Sequence, residues 1–212
     1  MTEPASGAIT SVRRVGDRGL LIELAERVDA HRVAAFVRDH PCAPELTEVI
    51  PAARTVFLLG RPSALDRIGR AIPTAAWPEV DERRGKTVVV PVRYDGPDLH
   101  EVAERTGLSV REVVRRHSGT EYRVAFFGFA PGQAFFSALP DVLRVPRRPS
   151  PRVRVPSGSV AIANEFTVIY PLDSPGGWNL IGTRAGPPLW NTQAQPPNAV
   201  DVGDRVVFDE VR

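Results

Sequence analysis

The chain has 212 residues with 27 basic and 25 acidic side chains, and its net charge of +2 is too small to call for nucleic acid by itself. Its single cysteine, Cys42, excludes an internal disulfide and a cysteine zinc site. No apolar run approaches the roughly eighteen residues of a membrane span, and residues 1–8 lack the basic and apolar blocks of a secretory signal, so a cytoplasmic protein is expected.

Taken in chain order, 9–15 and 19–24 read as two strands of a hairpin around Gly16-Asp17-Arg18. Asp29 is placed to cap a helix carrying Val33, Phe36 and Val37 at helical spacing, which Pro41 stops. Strands follow at 47–50 and 54–59, then a helix capped by Ser63 with Leu65, Ile68 and Ile72 on one face. Residues 73–84 connect this helix to a β-branched strand at 87–92. The order β-β-α-β-β-α-β predicts an α+β domain over residues 1–92.

Two short helices are expected at 99–106 and 110–117, split by Gly107-Leu108-Ser109, with Ser109 and Glu112 as a capping box. Ending in Arg115-Arg116-His117, the pair also has the outline of a helix-turn-helix DNA reader. A strand at 122–129 follows where such a reader needs a third helix, so neither nucleic acid nor membrane is expected as a partner. From there the 21 prolines and 17 glycines become dense and divide short strands at 153–155, 160–163, 167–170, 179–182 and 205–208. That spacing predicts a closed barrel or sandwich over residues 93–212.

Four stretches can carry chemistry. Gly128-Phe129-Ala130-Pro131-Gly132 follows a strand, and its glycines allow backbone N–H groups to converge on an oxyanion or simply to turn a corner. The tract Arg144, Pro146, Arg147, Arg148, Pro149, Pro151, Arg152, Arg154 presents guanidinium forks from stiffened backbone, suited to phosphate or carboxylate, or else a solvated basic edge. Strand alternation puts Arg152 and Arg154 on one face and the two valines on the other. Ser157-Gly158-Ser159 offers two hydroxyls for an anion or for capping, with no neighbouring general base to make a serine nucleophile. Ser174-Pro175-Gly176-Gly177-Trp178-Asn179 reverses the chain and sets an indole against a pocket or the core. Phosphate-loop, dinucleotide and zinc-hydrolase signatures are absent from the sequence, and the four histidines are scattered.

Read as a series, these motifs resemble the allophanate hydrolase subunit 1 family, which includes the B subunit of 5-oxoprolinase, a sporulation kinase inhibitor and the carboxyltransferase region of urea carboxylase. The resemblance is carried by Tyr122-Arg123-Val124, Gly128-Phe129-x-Pro131-Gly132, Pro146-Arg147-Arg148, Pro151-Arg152, Val155-Pro156-x-Gly158-Ser159-Val160, Tyr170-Pro171, Ser174 to Trp178, Leu180-Ile181-Gly182 and Gly203-Asp204. It implies a cyclophilin-like β-barrel after the α+β domain. It further implies an ATP- and magnesium-using subunit that opens 5-oxoproline to glutamate with a C-type partner, similar to allophanate hydrolase subunit 2, and a third subunit. An allophanate or urea carboxyltransferase-type subunit and a regulatory inhibitor of a sensor histidine kinase are the alternatives it leaves.

On that reading Arg147, Arg148 and Arg152 neutralise phosphate or carboxylate. Gly128, Phe129, Pro131, Gly132, Ser157, Gly158, Ser159, Thr167, Trp178 and Asn179 bind the anion or substrate, and His117 either transfers a proton or is structural at its helix end. The arginines and turns beyond residue 117 are thus expected to line an anion-holding cavity in the barrel. The chain departs from the family pattern at Gln133, at Phe166-Thr167-Val168, where Gln-Thr-Gly is common, and at Thr183-Arg184, where Arg-Thr is usual.

Overall fold

The computed structural model describes residues 9–79 and 85–212, in two compact units, Met1–Asp81 and Glu82–Arg212. The expectations for residues 1–8 and for the 80–84 end of the connection lie outside the described residues.

In the first unit β1 (Ile9–Val15), β2 (Gly19–Leu24), β3 (Leu46–Pro51) and β4 (Thr55–Gly60) form an antiparallel sheet in the order β1-β2-β4-β3. Alternation buries Leu20, Ile22 and Leu24 of β2 with Val56 and Leu58 of β4. Those side chains meet α1 (Arg27–Asp39) and α2 (Pro62–Ala71) through Val33, Val37, Leu65 and Ile68. The helix starts differ from the expected ones. Asp29 lies in the first turn of α1, buried beside Arg32, and Glu26 holds the cap position; Ser63 lies inside α2, which opens on Arg61 and Pro62. Proline already supplies the backbone angle of a first helical residue, so α2 begins without a serine cap.

The second unit is a barrel closed in the order β10-β7-β6-β13-β5-β12-β9. Its strands are β5 (Thr87–Arg93), β6 (Glu121–Phe127), β7 (Ala134–Ser137), β9 (Ser159–Ala163), β10 (Phe166–Ile169), β12 (Asn179–Arg184) and β13 (Arg205–Glu210). A separate ribbon pairs β8 (Arg152–Val155) with β11 (Ser174–Gly176). The strand expected to finish the first domain is β5, which instead pairs with β12 and runs parallel to β13. The division therefore falls at Asp81/Glu82 and not at residue 92. A run of three valines can sit in either unit, and the partner strands that claim it lie about ninety or more positions downstream.

Between β5 and β6, α3 (Leu99–Thr106) and α4 (Val110–Ser118) pack on β12 and β13. The Ser109 hydroxyl accepts the Glu112 N–H at 3.2 Å, as the capping motif requires, while the Glu112 carboxylate pairs with Arg115 and Arg116. With Val113, Val114 and His117 buried, α4 spends its apolar face on the barrel and its end arginines on its own helix.

Val90, Val92, Tyr122, Val124, Phe136, Ile162, Val206 and Phe208 belong to one buried cluster that fills the barrel. The cavity expected inside it is absent among the described residues, because apolar side chains occupy the space.

Candidate functional site

Residues 146–148 run antiparallel to 177–179 and are fastened there at two points. The buried Asn179 amide donates to the Pro146 and Ile162 carbonyls at 3.0 and 3.1 Å, and the Arg148 N–H donates to the Gly177 carbonyl at 2.7 Å. Extended backbone sends consecutive side chains to opposite sides. Arg148 accordingly turns inward and Arg147 outward, over the Trp178 ring at 5.7 Å from its centre.

The inward arginines meet a carboxylate. Asp98, with a side chain 3% exposed, accepts Arg148 Nη1 at 2.8 Å and Arg152 Nη2 at 2.6 Å on Oδ1, and the Leu180 N–H at 2.7 Å on Oδ2. Arg148 also pairs with Glu101 at 2.8 Å. Two of the three guanidinium groups expected to receive the anion, Arg148 and Arg152, are therefore already neutralised within the chain. Glu101 and Asp98 hold Arg148 protonated well above ordinary guanidinium acidity. Their role here is to bind α3 to the ribbon and to β12. Arg154, expected on the same face as Arg152, pairs instead with Asp173, and the valines separate too, Val153 standing 91% exposed and Val155 buried.

Arg147 differs. It has no carboxylate partner among the described residues and lines a surface cleft of about 530 Å³ with Arg105, Thr106, Val142 and Arg144. Arg105 pairs with Glu101 and Arg144 with Asp141, which leaves Arg147 as the open donor.

Below it lies an aromatic platform. Phe135 meets Trp178 edge-on at 5.6 Å, stacks on Phe126 at 4.5 Å and touches Phe166 edge-on at 5.9 Å. The Tyr170 hydroxyl packs so closely on Gly176 that any larger residue there would overlap its ring. Gly128 sits against Phe126 and Phe135, so its loop borders the platform. At the loop tip Phe129 takes a left-handed φ of 70° and is 68% exposed, an expensive conformation that presents a ring to solvent. The loop's N–H groups are used internally in part: Gly128 donates to Gln133 O and Ala130 to Gly128 O.

The remaining expected residues separate into two other places. Gly132, with φ 75°, lies against the Trp190 ring and faces a small hollow shared with Ser157, Tyr170 and Arg184, and Pro131 precedes it in the same turn. Ser157 is committed locally, its hydroxyl to the Pro171 carbonyl and its N–H to Asp173; Gly158 and Ser159 lie beside it at the start of β9, Ser159 buried.

Thr167 and His117 are inside the barrel. Thr167 Oγ1 donates to the Ala161 carbonyl at 3.1 Å, so it accepts from His117 Nε2 at 3.0 Å, and Nδ1 is left to accept from the Tyr94 hydroxyl at 2.8 Å. Burial drives the His117 pKa down to about 3, so the imidazole is neutral with one fixed tautomer. Fully enclosed, it faces neither cleft nor platform. Thr167 is likewise a buried barrel residue.

Of the residues singled out by sequence, the structure brings Gly128, Phe129, Trp178, Asn179 and Arg147 together. Asp98, Phe135 and Tyr170 complete the arrangement; Tyr170 was marked only within the Tyr170-Pro171 motif, and Asp98 and Phe135 were missed. Only the Asp98-Leu99 junction at a helix start gave any local signal.

Residues 10–200 match the model of the carboxyltransferase domain, subdomain C and D. The chain belongs to this family. It is 34% identical over 220 residues to the B subunit of 5-oxoprolinase from Bacillus subtilis, covering 93% of this chain and 91% of that protein. To the corresponding 5-oxoprolinase B subunit of Escherichia coli it is 36% identical over 203 residues, covering 92% and 93%. The solved structure of TTHA0988 superposes with a TM-score of 0.75 at 38% identity, over 92% of this chain and 40% of that one, so this carboxyltransferase-family chain spans less than half of TTHA0988. The Kluyveromyces lactis urea carboxylase structure shares the fold, with a TM-score of 0.74 at 17% identity, over 95% of this chain and 22% of that one.

Proposed function

We propose that this chain is a subunit of an ATP-dependent lactam hydrolase that opens 5-oxoproline to glutamate, acting with a C-type partner and a third subunit. Two 5-oxoprolinase relatives, both B subunits matched over more than nine-tenths of their length, support this reading above kinase inhibition. The observation that carries it is Arg147, an unpaired guanidinium over Trp178 at the rim of a cleft with two further arginines. That surface suits the carboxylate of the lactam or the phosphates of the nucleotide.

A lactam resists hydrolysis because amide resonance protects its carbonyl. Transfer of a phosphoryl group from ATP to the lactam oxygen, with ADP leaving, would end that protection; one water then adds at the ring carbon, expulsion of the ring nitrogen opens the ring to an acyl phosphate, and a second water cleaves that to glutamate and phosphate. Arg147 would orient the anion and offset its charge, while the aromatic platform would pack against one face of the ring and leave the other open to water. The basic cleft fits phosphate oxygens, and no group of three or more metal-ligating side chains occurs among the described residues to hold the accompanying magnesium. His117 is sealed and neutral, so it does not supply the proton transfer. An incomplete set of catalytic groups is what a subunit needing a partner would present.

Co-expression with the partner subunits and measurement of ATP-dependent glutamate release tests the assignment. Arg147→Ala is expected to lower turnover roughly tenfold or more, the loss of one charge-assisted hydrogen bond, with the melting temperature unchanged. Undiminished turnover in this variant rejects Arg147 as the anion-binding group.

A further inference from the structure

The cleft that Arg147 shares with Arg105 and Arg144 is lined by charge of one sign. Its three guanidinium groups come from separate stretches, Arg105 from the last turn of α3, Arg144 from just after the short turn 141–143 and Arg147 from the extended run beyond it. Val142, Val145 and Pro149 supply apolar wall, and no carboxylate lines the cleft among the described residues. A concave surface with an excess of positive charge concentrates anions, most of all those carrying several charges.

The two paired arginines are held loosely. Arg144 meets Asp141, three positions back, on a side chain 86% exposed, and Arg105 meets Glu101, four positions back, where both groups are partly exposed. Such pairs contribute little, because water and salt screen them and two long side chains must be ordered to make them. Glu101 keeps a partner when Arg105 leaves, since its other oxygen accepts Arg148 at 2.8 Å. Arg148 and Arg152, on the buried Asp98, have no such freedom. An incoming anion is therefore offered three forks, one open and two by exchange. At about 530 Å³ the cleft has several times the bulk of a single phosphate group, so a chain of phosphates can engage forks that one phosphate cannot reach together.

We propose that Arg105, Arg144 and Arg147 bind a chain of phosphate groups such as a nucleoside triphosphate carries, with Arg105 and Arg144 exchanging Glu101 and Asp141 for phosphate oxygens. Arg147 also stands over Trp178, which puts the terminal phosphoryl group where the cleft meets the aromatic platform. The nucleotide as its carrier rests on the hydrolase reading, whereas the polyphosphate site rests on the charge and shape of the cleft.

Titration calorimetry on the full chain, at low salt and without magnesium, uses AMP, ADP, ATP and inorganic triphosphate as probes. Saturable binding that strengthens from AMP to ADP to ATP and weakens with added sodium chloride is expected. Arg105→Ala and Arg144→Ala should each weaken ATP binding roughly fivefold or more. Asp141→Asn, which frees Arg144 and disturbs no buried residue, should tighten it roughly two- to threefold. Arg13→Ala, an exposed arginine on β1 of the first unit, should change nothing. Tighter binding of ATP than of inorganic triphosphate assigns the cleft to a nucleotide, and the reverse assigns it to free polyphosphate. No saturable binding, AMP binding as tightly as ATP, or an affinity unmoved in both Arg144→Ala and Asp141→Asn would overturn the site. In the assembled enzyme the Arg105 and Arg144 variants should raise the KM for ATP and leave that for 5-oxoproline. Glutamate release with an unchanged KM for ATP would overturn the site and keep the hydrolase; nucleotide binding without glutamate release would do the reverse.

Discussion

In the folded chain His117 takes up a proton only near pH 3, against an ordinary value of 6.5, because the charged imidazolium would be sealed in an apolar barrel. An unfolded chain binds that proton near pH 6.5. The stabilisation from keeping His117 neutral is therefore complete above pH 6.5 and is lost as the pH falls from there towards 3, at up to about 1.4 kcal/mol per unit. His117→Gln should lower stability at neutral pH and flatten the decline between about pH 7 and pH 4.5 in denaturant titrations. A decline as steep as in the wild type would assign it to other groups. Gly132 is constrained twice, by a φ of 75° and by the Trp190 ring. Gly132→Ala should cost roughly 2 kcal/mol in thermal unfolding, and Trp190→Ala in the same chain should recover only the part due to the ring, since Trp190 Cβ also overlaps the added methyl and the backbone part stays.

Among elements, α3, β8 and β12 meet on the Asp98 carboxylate, which accepts two guanidinium groups and one backbone N–H. Removing that charge leaves Arg148 with Glu101 and strips Arg152 of the carboxylate it pairs with. Asp98→Asn should destabilise the barrel unit by about 3 kcal/mol, the size of breaking a largely buried pair, and Arg152→Ala should lower stability without the specific loss of turnover expected of Arg147→Ala. Stability measured by chemical unfolding and unchanged in Asp98→Asn would refute the clamp. The same junction shows what sequence conveys and where it stops. Local patterns placed the first hairpin, both short helices and most of the β segments, because alternation, caps and turns act within a few residues. They also marked Gly128, Trp178 and Arg147. They could not distinguish Arg147 from Arg148 and Arg152, since what neutralises the latter two is an aspartate about fifty positions upstream. Likewise β7 went unread, as a four-residue strand rich in phenylalanine has no alternation to separate it from the loop before it.

At the scale of the whole molecule, each unit has its own buried core, and the barrel depends on one early strand. β5 sits between β12 and β13, the latter in parallel register from Thr87 with Arg205 to Val92 with Glu210. Parallel pairing cannot form by a hairpin and must wait for the intervening chain, so β5 and β13 close the barrel together. A fragment of residues 85–212 retains every barrel strand and should fold with a single cooperative thermal transition and well-dispersed amide resonances. One of residues 93–212, cut at the boundary that alternation alone suggests, lacks β5. It would leave an open edge on β12 and β13, with Val206 and Phe208 losing Val90 and Val92 from the shared cluster. That fragment should show no cooperative transition and should aggregate. Equal melting of the two fragments would mean that the barrel does not need β5 for closure, and the division of the chain at Asp81/Glu82 would lose its physical basis.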